Sequence, residues 1–224
     1  MRNKLWVFGC SMSNKNQPKD RLDYVNWKGY VIKTWSELLS EKLNFELRNY
    51  GISGASNITI MHEFSNYSNE MHENDIVIIN WTEITRFRVA SKDKWLNVLV
   101  QHINHPDLKD ELKVLNDNDI SQQTIMDITN NRNNDLYLDE LDSWYNLIKV
   151  FCNKSKIKLF FWGLMTYRPY MLKYKNFELQ EYIVNHYGRI MEETKGEVMD
   201  GHFSEIAHKE CSNIFFNLIQ NEES

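Results

Sequence analysis

The chain has only three cysteines, Cys10, Cys152 and Cys211, and no two of them form a C-x-x-C pair. So small and odd a set excludes a disulfide framework and a cysteine-rich zinc site as organising features. Excess positive charge is also lacking: 26 Lys and Arg stand against 31 Asp and Glu, a formal charge of −5. Nothing electrostatic therefore recommends nucleic acid or an anionic membrane as a partner. No run approaches the ~20 apolar residues of a membrane span. Arg2 and Lys4 lead into "LWVFGC", but that apolar run is shorter than the ~7–15 residues of a signal-peptide core. The expected location is the cytoplasm. Glycine is scarce, at eight residues, and "GCSMSNKNQ" (9–17) has too few for the phosphate-cradling loop of a flavodoxin-like mononucleotide binder.

What is present suits a folded domain. Apolar residues make up 42% of the 224 and aromatics 13%, enough for a core, and the length fits a single α/β domain over 1–224. Most of the seven Trp and eleven Tyr are expected in that core, although aromatics also stack on sugars. Short apolar runs alternate with helical patterns, which predicts a parallel sheet with crossover helices. The strands read as "KLWVF" (4–8), "FELRN" (45–49), "DIVIIN" (75–80), "KLFFWG" (158–163) and a weak last one at "GEVMD" (196–200).

Helical spacing covers 30–43, with Val31, Trp35, Leu38, Leu39 and Leu43 on one face. It recurs over 138–155 and over 204–219, where Ser204 is the expected N-cap. The Asn/Asp-rich stretch at about 88–137 reads as an inserted set of short helices and loops within the same domain.

In an open parallel sheet, ligands bind beyond the carboxyl ends of the strands. Those positions hold Cys10 and Ser11, then "YGISGASN" (50–57), "WTEITR" (81–86), "LMTYRPY" (164–170) and "DGHFSEIAH" (200–208). A hydroxyl or thiol, a glycine-rich turn, polar donors and an Asp–His pair are the parts of an acyl-transfer site. Ser11 and Cys10 compete as nucleophile. Strand alternation should bury one of the two. His202 and His208 compete as base, and His208, one turn into the last helix, reads as the structural one. "HINH" (102–105) has metal-ligand spacing but no evident third ligand, so no metal is expected. The α/β-hydrolase elbow G-x-S-x-G is absent, since "GCSMS" lacks the second glycine.

Taken together these blocks resemble the SGNH (GDSL-type) hydrolases, which implies a flavodoxin-like three-layer α/β/α fold. "VFGCSMS" is similar to the family's F-G-D-S block, with Ser11 as nucleophile and Cys10 in place of the usual aspartate. "NYGISGASN" resembles N-x-G-x-x-G, which implies an oxyanion-binding N–H at Gly54. "DGHFSEIAH" resembles the last block, implying Asp200 and His202 as the remainder of a triad. The third block, normally G-x-N-D, here reads "NWTEITR". Thr82 replaces the oxyanion asparagine, and losing such a donor costs ~10²–10³ in rate. A threonine hydroxyl can donate, and Asn80 or Asn57 could supply the bond instead.

The resulting expectation is a serine esterase acting on a small-molecule or carbohydrate ester, such as an O-acetyl sugar. Ser11, Asp200 and His202 are its triad, and the Ser11 and Gly54 N–H groups with Thr82 form its oxyanion hole. Asn57, Arg86, Tyr167 and Arg168 contact substrate, and no cofactor is needed. The rival is a non-catalytic binding or structural protein on the same scaffold. The sequence leaves the oligomeric state open.

Overall fold

The computed structural model describes residues 2–20, 22–83, 86–90, 94–99, 117, 120–131, 134–163 and 202–221. Four strands, β1 (Lys4–Gly9), β2 (Glu46–Gly51), β3 (Ile76–Trp81) and β6 (Lys158–Gly163), form one parallel sheet in the order β2-β1-β3-β6. This is the flavodoxin-like order. All six residues of β3 are buried, as its continuous apolar run requires of a strand covered on both faces. The strand read at 196–200 lies outside the described residues.

Helices cover both faces. On one side, α4 (Asn57–Tyr67) and α6 (Asn134–Lys154) pack through Phe64, Phe151 and Tyr145 against Phe8 and Phe161. On the other, α3 (Trp35–Leu43) and α7 (Glu205–Asn221) bring Trp35 and Phe215 onto Trp162. The result is a three-layer α/β/α sandwich. Two short helices, α1 (Gln17–Asp20) and α2 (Leu22–Lys28), follow β1, and α5 (Gln122–Asn130) precedes α6. Among the described residues, no helix is long and apolar enough to cross a membrane.

Two expectations need correction. Helix α3 begins at Trp35, not at residue 30, because Thr34 builds a capping box. Its side chain accepts from the Glu37 N–H, while the Glu37 carboxylate accepts from the Thr34 N–H at 2.8 Å. Val31 therefore lies outside the helix and is exposed. The stretch read as helices and loops from about 88 starts instead with an antiparallel hairpin, β4 (Arg86–Ala90) and β5 (Trp95–Leu99). "RFRVA" alternates polar and apolar residues, the period of a strand that buries one face. Its Phe87 and Val89 join Leu96, Val98, Ile120 and Ile125 in a small hydrophobic cluster of their own.

Candidate active site

The first strand ends in an over-determined turn. The Ser13 and Asn14 N–H groups both donate to the Cys10 carbonyl, at 3.0 and 3.1 Å. A side chain at Gly9 would put its Cβ 2.7 Å from Asn80 Cβ, and one at Gly51 would meet the Ser13 backbone at 2.6 Å. Both glycines thus exist for close approach. Asn49 clamps the turn from β2, donating from Nδ2 to the Ser13 carbonyl at 2.7 Å and to Ser36 Oγ at 2.8 Å. Beyond β2, Gly54 is exposed at φ 75°, a left-handed conformation that favours glycine.

Cys10 and Ser11 lie past the end of β1, and the turn, not strand alternation, gives them different surroundings. Cys10 is fully buried and its thiol donates to Asn80 Oδ1 at 3.3 Å. Ser11 is half-buried, and its hydroxyl bonds to nothing among the described residues. Burial pushes the other two thiols up, Cys152 to about 12 and Cys211 further still, so both are inert at neutral pH.

Asn57, Asn80 and Thr82 have no exposed surface. The Asn57 amide embraces the Thr82 main chain, accepting from its N–H at 2.7 Å and donating to its carbonyl at 3.0 Å. Asn80 accepts from Cys10 and Ser13 and donates to the Trp81 carbonyl. Asn57, expected to contact substrate, is fully buried here with its amide engaged by the main chain just after β3. The Thr82 hydroxyl differs from both, being buried with no hydrogen-bond partner among the described residues.

The two histidines have separate positions. Ser204 caps α7, its Oγ accepting from the Ala207 N–H at 3.1 Å. One turn in, His208 is buried and accepts the Trp35 N–H on Nδ1 at 3.0 Å. That bond needs a neutral ring protonated on Nε2. His202 is half-buried ahead of the helix, next to Phe203, whose ring stacks on Trp162 with centroids 6.0 Å apart. Asp200, Tyr167, Arg168 and the 102–105 histidines lie outside the described residues. Arg86 opens β4 and is half-buried. Among the described residues, no three His, Cys, Asp or Glu side chains cluster as a metal site would need.

Sequence reasoning took Trp35 for a helix-face core residue and missed its second task. Its indole N–H donates to the Met12 carbonyl at 3.0 Å, beside Ser11, and its ring meets Trp162 edge-on at 5.7 Å. Through Trp162 and His208 the same side chain and its backbone reach Phe203, beside His202. One residue thus ties together the segments that carry Ser11 and His202. The available signal was chemical: a buried indole N–H needs an acceptor.

No family model matches the sequence, and no curated protein matches it. The chain is similar in structure to a candidate lipolytic protein of the G-D-S-L family from Desulfitobacterium hafniense DCB-2. The identity is 10% and the TM-score 0.46, over 96% of this chain and 99% of that one.

Proposed function

We propose that the chain is a serine ester hydrolase. The observation that supports it best is the Ser11 hydroxyl, held without a partner on a rigid turn at the carboxyl edge of the sheet. In this reading Ser11 Oγ attacks the ester carbonyl and passes its proton to His202, which returns it to the leaving alcohol. Water then attacks the acyl-serine with His202 again as base, releasing the acid and restoring Ser11. Asp200 orients the imidazole, a role that rests on the sequence resemblance. The Ser11 and Gly54 N–H groups and the Thr82 hydroxyl hold the oxyanion. Acyl esters are the substrate class, with O-acetyl groups on carbohydrate as the narrower expectation.

A second reading is a binding protein on the same scaffold, and one observation favours it: no Ser11–His202 hydrogen bond forms among the described residues. Catalytic hydrogen bonds often tighten only with substrate in place, so turnover decides. With p-nitrophenyl acetate, Ser11→Ala and His202→Ala should each lose about 10³-fold or more in kcat. His208→Ala should lose about 2 kcal/mol of stability instead, because the Trp35 N–H is left without an acceptor. Wild-type protein without esterase activity, or equal turnover by Ser11→Ala, would leave the binding reading in place.

A further inference from the structure

The hairpin carries charge that nothing described neutralises. In the register of β4 and β5, Arg86 faces Leu99, Arg88 faces Asn97 and Ala90 faces Trp95. Alternation puts both arginines on the face away from Phe87 and Val89, which go to the small hydrophobic cluster. Arg86 Nε and Nη1 and Arg88 Nε are buried with no hydrogen-bond partner. Neither guanidinium pairs with a carboxylate among the described residues. The Arg88 guanidinium lies over the Trp95 ring, 4.5 Å from its centroid, which fixes its plane without compensating its charge.

The position of this face is also defined. Asn97 Oδ1 accepts from the Ser56 N–H at 3.2 Å and from the Thr59 hydroxyl at 2.7 Å. The arginine-bearing face therefore seats on the first turn of α4, which contains no acidic residue. The next residue, Asn57, holds the Thr82 main chain. The strand that carries the two arginines begins four residues after Thr82, and its partner strand is tied through Asn97 to the helix start whose Asn57 holds Thr82. Guanidinium N–H groups withdrawn from water without an acceptor are costly, and that cost is relieved when an anion accepts from them.

We infer that Arg86 and Arg88 form a subsite for an oxyanion group, a carboxylate or a phosphate, carried by the ester substrate. This assignment to substrate rests on the esterase reading; the anion site itself does not. Planar guanidiniums suit the two-point geometry of a carboxylate or phosphate. The hairpin would then select charged esters over neutral ones of equal length.

The test compares p-nitrophenyl hemisuccinate with the neutral p-nitrophenyl pentanoate, together with calorimetric titration of succinate and of inorganic phosphate. Charge-assisted hydrogen bonds correspond to about a tenfold to hundredfold advantage in kcat/KM for the charged ester. In Arg86→Gln and Arg88→Gln that ratio should fall toward one. Saturable binding by wild type, lost in both variants, supports the site, and the tighter of succinate and phosphate identifies the group. If wild type hydrolyses neither ester yet binds an anion through these arginines, the esterase reading fails and the anion site stands. No saturable binding of either anion and an ester ratio near one in wild type would overturn the inference.

Discussion

Two buried polar side chains at opposite ends of the same parallel sheet, Asp75 and Thr82, are treated in opposite ways. At the amino end, the Asp75 carboxylate is buried and accepts from the Lys4 N–H at 2.8 Å, Trp6 Nε1 at 2.9 Å and the His72 N–H at 3.0 Å. At the carboxyl end, the Thr82 hydroxyl is equally buried and has no partner among the described residues. The Ser11 hydroxyl bonds to none of them either, but it is only half-buried and within reach of solvent. A burial cost offset by hydrogen bonds fixes a structure; one left standing has to be justified by something else. That contrast is one physical basis for proposing chemistry at the carboxyl end.

Substitutions at the two ends should therefore fail differently. Thr82→Val removes the hydroxyl and keeps the shape, so kcat should fall about 10–10³-fold with KM little changed. Its stability should hold or rise, because no hydrogen bond is lost. A stability loss with unchanged kcat would erase the distinction between the two ends. Asp75→Ala should do the reverse, costing about 3 kcal/mol in urea unfolding by leaving three donors without their acceptor. Turnover per folded molecule should remain near wild type. A specific loss of kcat in that variant would carry the active region to the amino end.

The smallest effect concerns the ion network at the start of α7. Glu205 accepts from Lys209 at 2.7 Å and from the Tyr30 hydroxyl at 2.7 Å, with Lys28 at 3.4 Å. These bonds, Lys209 first and then Tyr30, hold its carboxyl down at about 2, while the same contact pushes the Tyr30 phenol up. A lowered folded-state value means the stabilisation is complete above the ordinary carboxylate range of about 4.3 and is lost as the pH falls toward about 2. Glu205→Gln should cost under about 1 kcal/mol near neutrality, as screened surface pairs do. It should also flatten the acid limb of the stability profile between those values. An unchanged acid limb would remove the network from the accounting.

The sheet was legible because β1, β3 and β6 are near-continuous apolar runs that burial on both faces demands. The turn after β1 was legible from the same run, since the end of that strand marks where such sheets place ligands; the role of Ser11 there is a proposal. The hairpin was not. Each of its strands packs only Phe87 and Val89 or Leu96 and Val98 into the small cluster, so it shows alternation without a continuous run. Capping decided the start of α3, where periodicity from residue 30 carried no information about Thr34 and Glu37. Trp35 and Asn57 were read by type and spacing alone. Their long-range hydrogen bonds, to Met12 and Thr82, are contained in no local pattern.

The most direct test of the central claim is labelling of the native protein with a fluorophosphonate, followed by peptide mapping of the modified residue. The partnerless Ser11 hydroxyl, activated by His202, should take the label stoichiometrically, and Ser11→Ala and His202→Ala should not be labelled. Modification confined to another serine, or none in protein that hydrolyses esters, would contradict the assignment of the carboxyl-end turn as the seat of the chemistry.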